Sequence, residues 1–200
     1  MSAAVPDSAP TDAASTQPAI EKARLRCAAL ALRDGLELDA RLDWDQAIAA
    51  HASALDVWSN GPVSAYWPMR SEADPRPILE ELALRGLPLC LPAVVDGLLQ
   101  FRQWTPWEPI VPGGFGTLVP PDGVPVLIPK VLIVPLAAFD RRGFRIGYGK
   151  GHYDRALAAL GEVTTVGIAY AAQEIVEVPS EPHDRALDWI VTEEGAIRCL

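Results

Sequence analysis

Residues 130–139, KVLIVPLAAF, are apolar at nearly every position. A strand with one wet face alternates apolar and polar side chains. A continuous apolar run is instead covered on both faces, as in the central strand of a parallel sheet. Shorter apolar runs at 61–68, 87–95, 98–104, 164–171 and 187–193 read as further strands. Helical periodicity lies between them. Leu25, Ala29, Leu32 and Leu36 share one face over 20–36, and Ala47, Ile48, Ala52 and Leu55 share one over 43–58. Residues 74–86 place prolines in a first turn and Gly86 at the stop, and 153–161 read as a fourth helix. This alternation predicts an α/β fold of three layers, with a mostly parallel sheet and helices on both faces. Residues 1–19, rich in Ala, Ser, Thr and Pro, are expected to be a disordered tail before a single domain over 20–200. The proline- and glycine-rich stretch at 105–125 reads as a long loop.

The strand at 130–139 is followed by DRRGFRIGYGKG and then by the helix, which fixes where chemistry belongs. Ligands of open parallel sheets bind beyond the carboxyl ends of the strands. A helix amino terminus offers unpaired N–H groups and partial positive charge. Gly147, Gly149 and Gly151 let backbone N–H groups approach an anion, and Arg145 and Lys150 add full charges. The sum is a phosphate cradle. It is not a Walker A loop, because Gly151 follows Lys150, and the even glycine spacing is not the dinucleotide fingerprint. Spacing alone therefore leaves a flexible connection open as the alternative. Asp154 beside a phosphate calls for a cation between them, such as Mg²⁺, although a first-turn acid is also stabilised by the helix dipole. Lys22, Arg26 and Arg33 lie on neighbouring turns of the first helix, where a solvated flank is the simpler reading.

Charge limits the partners. The formal net charge of −9 argues against a nucleic-acid surface but not against a small anionic ligand in a local basic pocket. No apolar run is long enough for a membrane span; residues 124–139 are interrupted by Lys130 and three prolines. Three widely spaced cysteines fit neither a disulfide framework nor a zinc site and suit the cytoplasm.

Residues 134–157, VPLAAFDRRGFRIGYGKGHYDRAL, resemble the signature of the 5-formyltetrahydrofolate cyclo-ligase (methenyltetrahydrofolate synthetase) family: Pro, Phe-Asp, Gly-x-Arg-Leu-Gly, then Gly-x-Gly-Tyr-Tyr-Asp. KARLR at 22–26, YWPMRSEAD at 66–74, and Gln173, His183, Asp184 and Asp188 extend the resemblance over most of the chain. The resemblance implies a sheet of the NagB, RpiA and CoA-transferase type and a monomer. It implies conversion of 5-formyltetrahydrofolate to 5,10-methenyltetrahydrofolate, with MgATP as co-substrate. Phosphorylation of the formyl oxygen makes a leaving group that nitrogen 10 can displace. The resemblance assigns Lys22, Arg26, Arg145, Gly147, Tyr148, Gly149, Lys150, Gly151, His152 and Tyr153 to ATP. Lys150, Arg145 and Tyr153 are the catalytic residues it implies, the first two at the transferring phosphoryl group and Tyr153 where nucleotide and folate meet. Met69, Glu72, Asp74, Phe115, Tyr148 and His152 are placed at the folate, with Trp107 as an alternative ring for stacking. Asp154 and Asp188 would hold Mg²⁺. Arg33 stays a solvated flank.

Three positions depart from the family pattern. His152 replaces a Tyr or Phe, Val119 a Glu, and Lys130 an Asp. Lys130 is expected to have a structural effect only, while Val119 and His152 motivate a second reading, a catalytically impaired relative that binds folate or nucleotide. A sugar-phosphate isomerase or CoA transferase is a third, by likeness of fold alone.

Overall fold

The computed structural model describes residues 17–58, 61–181 and 184–199, with the side chain at 115 outside that set. The expected tail falls outside the described residues up to position 16. Order begins earlier than position 20, because helix α1 runs Gln17–Asp34. The other helices are α2 (Leu38–Ser53), α3 (Arg76–Leu84) and α4 (His152–Leu160). The strands are β1 (Val63–Ser64), β2 (Leu89–Val95), β3 (Leu98–Gln103), β4 (Val111–Pro112), β5 (Leu118–Val119), β6 (Val131–Pro135), β7 (Ala138–Phe139), β8 (Arg145–Ile146), β9 (Thr164–Ile168), β10 (Trp189–Thr192) and β11 (Gly195–Arg198).

Seven strands form the main sheet in the order β11-β10-β9-β6-β1-β2-β3. The five inner strands are parallel, and the two edges are antiparallel hairpin partners. Strand β6 is central, as its unbroken apolar pattern requires. Val131 and Ile133 join one core cluster with Ile48 of α2 and Ile78, Leu79 and Leu82 of α3. Leu132 and Val134 join another with Ala156 and Leu157 of α4. Alternate residues of one strand thus feed two cores, which makes three layers. Helix α1 packs at a third cluster with Ala138, Ile146 and Val178.

The run at 130–139 is not one strand. It leaves the sheet after Pro135, and Ala138–Phe139 pairs with Arg145–Ile146 in a separate ribbon. Pro135 has no N–H to extend the ladder. The buried Asp140 carboxylate then accepts from the N–H groups of Arg142 (3.0 Å) and Val178 (2.8 Å), pinning the ribbon's turn. This detour carries the glycine loop to α4.

Helix α2 lies earlier than the expected 43–58. Its end is closed by Trp58, buried, whose indole N–H donates to Ala52 O at 2.8 Å. The stretch at 105–125 contains the short β4–β5 ladder and a 3-10 turn at Gly114–Gly116. Among the described residues no helix is long and apolar enough to cross a membrane, and all three cysteines are free.

Candidate active site

A cavity of about 590 Å³ opens beyond the carboxyl ends of β1 and β6. Pro135 ends β6 and lines it, as do Tyr66 and Trp67, which follow β1. One side is cationic and rich in backbone donors. There Gly147 to Gly151 lead into α4, whose first residues His152, Tyr153 and Asp154 also face the space. Gly151 is the helix cap, at φ +63, a left-handed conformation that glycine adopts at little cost. Gly149 is at φ +82, and a Cβ there would meet the Arg26 guanidinium at 3.3 Å. Arg26 lies across the loop, and its Nε donates to Gly147 O at 2.6 Å.

The cations of this side have protein partners. Arg145 donates to Asp154 Oδ1 at 2.6 Å and to Arg185 O at 2.9 Å. Lys22 pairs with Asp184 at 2.5 Å and Glu181 at 3.4 Å. Lys150 lines the cavity from the exposed tip of the loop. His152 accepts at Nδ1 from the Arg155 guanidinium at 2.9 Å, and that guanidinium also donates to Gly97 O at 3.2 Å. Tyr153 lies deep, and burial pushes its phenol pKa up, with Glu72 adding to the rise.

The opposite side is buried and acidic at one point. Glu72 is 5% exposed. Its carboxylate accepts from Met69 N–H at 2.7 Å and from the Tyr148 hydroxyl. Burial pushes its pKa up, while the Tyr148 bond, the Met69 N–H and Arg33 oppose the rise. Met69 lines the same wall.

Several expectations need correction. Arg33 is not a solvated flank: it is 2% exposed, donating to Ser71 Oγ at 3.1 Å and to the Tyr148 hydroxyl at 3.0 Å. Periodicity within α1 missed it because Arg33 is covered by residues far away in sequence. Asp74 does not line the cavity. Its carboxylate accepts from the Arg76 N–H at 2.9 Å and from the Arg76 guanidinium, so it serves the start of α3. Asp188 does not line it either. It precedes β10, and its Oδ2 accepts from Thr165 N–H and Thr165 Oγ1, both at 2.7 Å, which fastens β10 to β9. Asp184, four positions earlier, does line the cavity, as Asp154 does. The spacing of two acids in one motif gave no way to choose between them. Trp107 is 83% exposed and outside the cavity. The expectation for Phe115 concerns a side chain outside the described residues, as does His183.

Of the three departures, His152 lines the cavity, whereas the other two lie outside it. Val119 is buried against Gly113 and does not line the cavity, whereas its neighbours Thr117 and Leu118 do. Lys130 precedes β6, at the end of the sheet away from the cavity.

A glycine loop with cations thus faces a buried carboxylate across one cavity. The model of the 5-formyltetrahydrofolate cyclo-ligase family matches residues 18–193. The chain belongs to this family. The 5-formyltetrahydrofolate cyclo-ligase of Mycolicibacterium smegmatis is 31% identical over 192 residues, covering 90% of this chain and 97% of the relative. That of Escherichia coli K12 is 32% identical over 139 residues, covering 65% and 76%. The solution structure of Aquifex aeolicus 5,10-methenyltetrahydrofolate synthetase superposes with a TM-score of 0.78 at 29% identity, covering 88% of this chain and 92% of that one. The cyclo-ligase fold is thus the one observed here, with its mostly parallel sheet.

Among the described residues no group of three or more His, Cys, Asp or Glu side chains forms a metal centre. A closed protein cage for Mg²⁺ does not fit. Mg²⁺ bound through one or two carboxylates plus nucleotide phosphates does fit, because Asp154 and Asp184 both face the cavity.

Proposed function

We propose that the chain converts 5-formyltetrahydrofolate to 5,10-methenyltetrahydrofolate at this cavity, consuming MgATP and releasing ADP and phosphate. The observation that carries the reading is that the glycine cradle and Glu72 line one cavity of about 590 Å³. The two substrates therefore meet inside a single chain, which favours a monomer. Three free thiols favour the cytoplasm.

The chemistry asks the protein mainly for position and charge. A formamide oxygen is a poor leaving group. Transfer of the γ-phosphoryl group makes it a phosphate ester, nitrogen 10 then bonds to the formyl carbon, and the carbon–oxygen bond breaks with release of phosphate. Lys150, Arg145 and the N–H groups at the start of α4 lie where they neutralise the transferring group. Lys22 and Arg26 reach the remaining phosphates from α1. Glu72 accepts from the N–H edge of the reduced pterin, and Met69 packs on that ring. Tyr153, between the two sides, excludes water from the reacting atoms. Asp154 and Asp184 would hold Mg²⁺, which supplies charge neutralisation between the phosphates. For that, Arg145 and Lys22 exchange their carboxylate partners for phosphate oxygens.

The test mixes the protein with 5-formyltetrahydrofolate and MgATP and follows the near-ultraviolet absorbance of methenyltetrahydrofolate. Growth of the band that requires both ATP and Mg²⁺ supports the reading. Folate binding without turnover would instead identify an impaired relative, and absence of folate binding would defeat both.

A further inference from the structure

The two sides of the cavity are joined by one side chain. Tyr148 rises from the glycine loop, and its hydroxyl donates to Glu72 Oε1 while accepting from Arg33 Nη2 at 3.0 Å. The other Glu72 oxygen accepts from Met69 N–H at 2.7 Å. Arg33 is held in turn by Ser71 Oγ at 3.1 Å, and the Ser71 hydroxyl donates to Asp34. Tyr148 itself is 38% exposed and lines the cavity, whereas Glu72 is 5% exposed. The donor thus stands at the cavity surface and the acceptor beneath it.

Two facts follow for ligands. A ring edge of N–H donors reaching Glu72 meets a carboxylate whose Oε1 is already bonded to the phenol. The loop that carries the phenol is also the phosphate cradle, and in this clasped state Arg26 is folded onto Gly147 O and Arg145 is turned to Asp154. We propose that Tyr148 is a coupling residue: bound folate displaces its phenol from Glu72, and that release frees the glycine loop to take the nucleotide. The inference rests on the reading of Glu72 as the pterin acceptor. It predicts that folate raises nucleotide affinity and, by reciprocity, that nucleotide raises folate affinity.

The test is Tyr148→Phe, which keeps the ring and deletes both hydroxyl bonds. Binding of 5-formyltetrahydrofolate is measured by calorimetry without nucleotide. Binding of a non-hydrolysable ATP analogue with Mg²⁺ is measured with and without folate. The phenol no longer competes, so the variant is expected to bind folate about tenfold more tightly. Folate is expected to tighten nucleotide binding at least about fivefold in the wild type and to leave it unchanged in the variant. Unchanged or weaker folate binding by Tyr148→Phe, or equal coupling in both proteins, overturns the clasp while leaving the function intact. A wild type that binds no folate overturns the clasp together with the reading beneath it, and the turnover assay then fails as well.

Discussion

The glycine loop and the wall at 69–72 face each other across one cavity but are built by opposite means. The loop is exposed at Tyr148, Gly149 and Lys150, and the cations around it, Arg145 and Lys22, sit on carboxylates that a polyanion can replace. The wall is buried at Ser71 and Glu72, where Ser71 Oγ accepts from Arg33 and Glu72 Oε2 from Met69 N–H. Phosphates vary in position during transfer, and an adaptable, wet cradle suits them. A pterin ring is rigid and is recognised by donors in a fixed row, and a desolvated acceptor suits it, since a bond to a buried charge discriminates strongly. The difference teaches that one side works with groups outside the packed structure and the other with groups inside it.

That separation is easiest to break at the loop. Lys150→Ala is expected to lower kcat/KM on the order of a hundred- to thousandfold, the loss typical of removing one preorganised donor to developing charge. The melting temperature should hold, because an exposed loop side chain contributes little to stability. A large fall in melting temperature would place Lys150 in the structural half and defeat the contrast. At the wall, Glu72→Gln is expected to raise KM for the folate about ten- to a hundredfold and leave KM for ATP nearly constant. It should not lower stability, since burial disfavours the charge that it removes. Equal changes in both KM values would mean that the two sides are not distinct.

The same contrast governs what could be read from the chain. The loop was legible because its chemistry is local: Arg145, three glycines, Lys150 and Asp154 lie within ten consecutive residues. The central strand was legible because burial on both faces leaves an unbroken apolar run. The wall was only partly legible. Glu72 came from the family resemblance, while Arg33 looked like surface because what buries it, Ser71 and Tyr148, arrives from 38 and 115 residues away. Asp74 and Asp188 misled for a related reason. Each acid is satisfied by a neighbour in the fold, Arg76 or Thr165, that a motif does not display. Strand β11 and the ribbon of β7 and β8 depend on where the chain turns back, which periodicity does not encode.

The reassigned acids give a sharper division. Asp184→Asn is expected to raise KM for MgATP about tenfold and to shift the Mg²⁺ dependence of turnover to higher concentration. Asp188→Asn should keep that dependence and instead lose about 1 kcal/mol of stability through its weakened bonds to Thr165. The reverse pattern, with Asp188 moving the Mg²⁺ titration, would restore it to the site against its position in the fold.

The smallest functional effect belongs to a carboxylate behind the wall. Asp45 of α2 is 7% exposed and accepts at Oδ1 from Asp74 N–H and the Tyr170 hydroxyl, both at 3.0 Å. Burial pushes its pKa up to about 6, against lowering by those two bonds. The folded state therefore holds this proton more tightly than the unfolded chain. The stabilisation is complete below pH ~4 and is lost as the pH rises through about 6, a change on the order of 3 kcal/mol. Asp45→Asn keeps an acceptor for both donors and has no charge to desolvate. It should flatten that segment of the pH–stability curve and leave neutral-pH turnover within about twofold of the wild type, since Asp45 does not line the cavity. A matching loss of folate affinity would show that the wall depends on this anchor, and the boundary between its scaffold and its ligand face would have to be drawn further from the cavity.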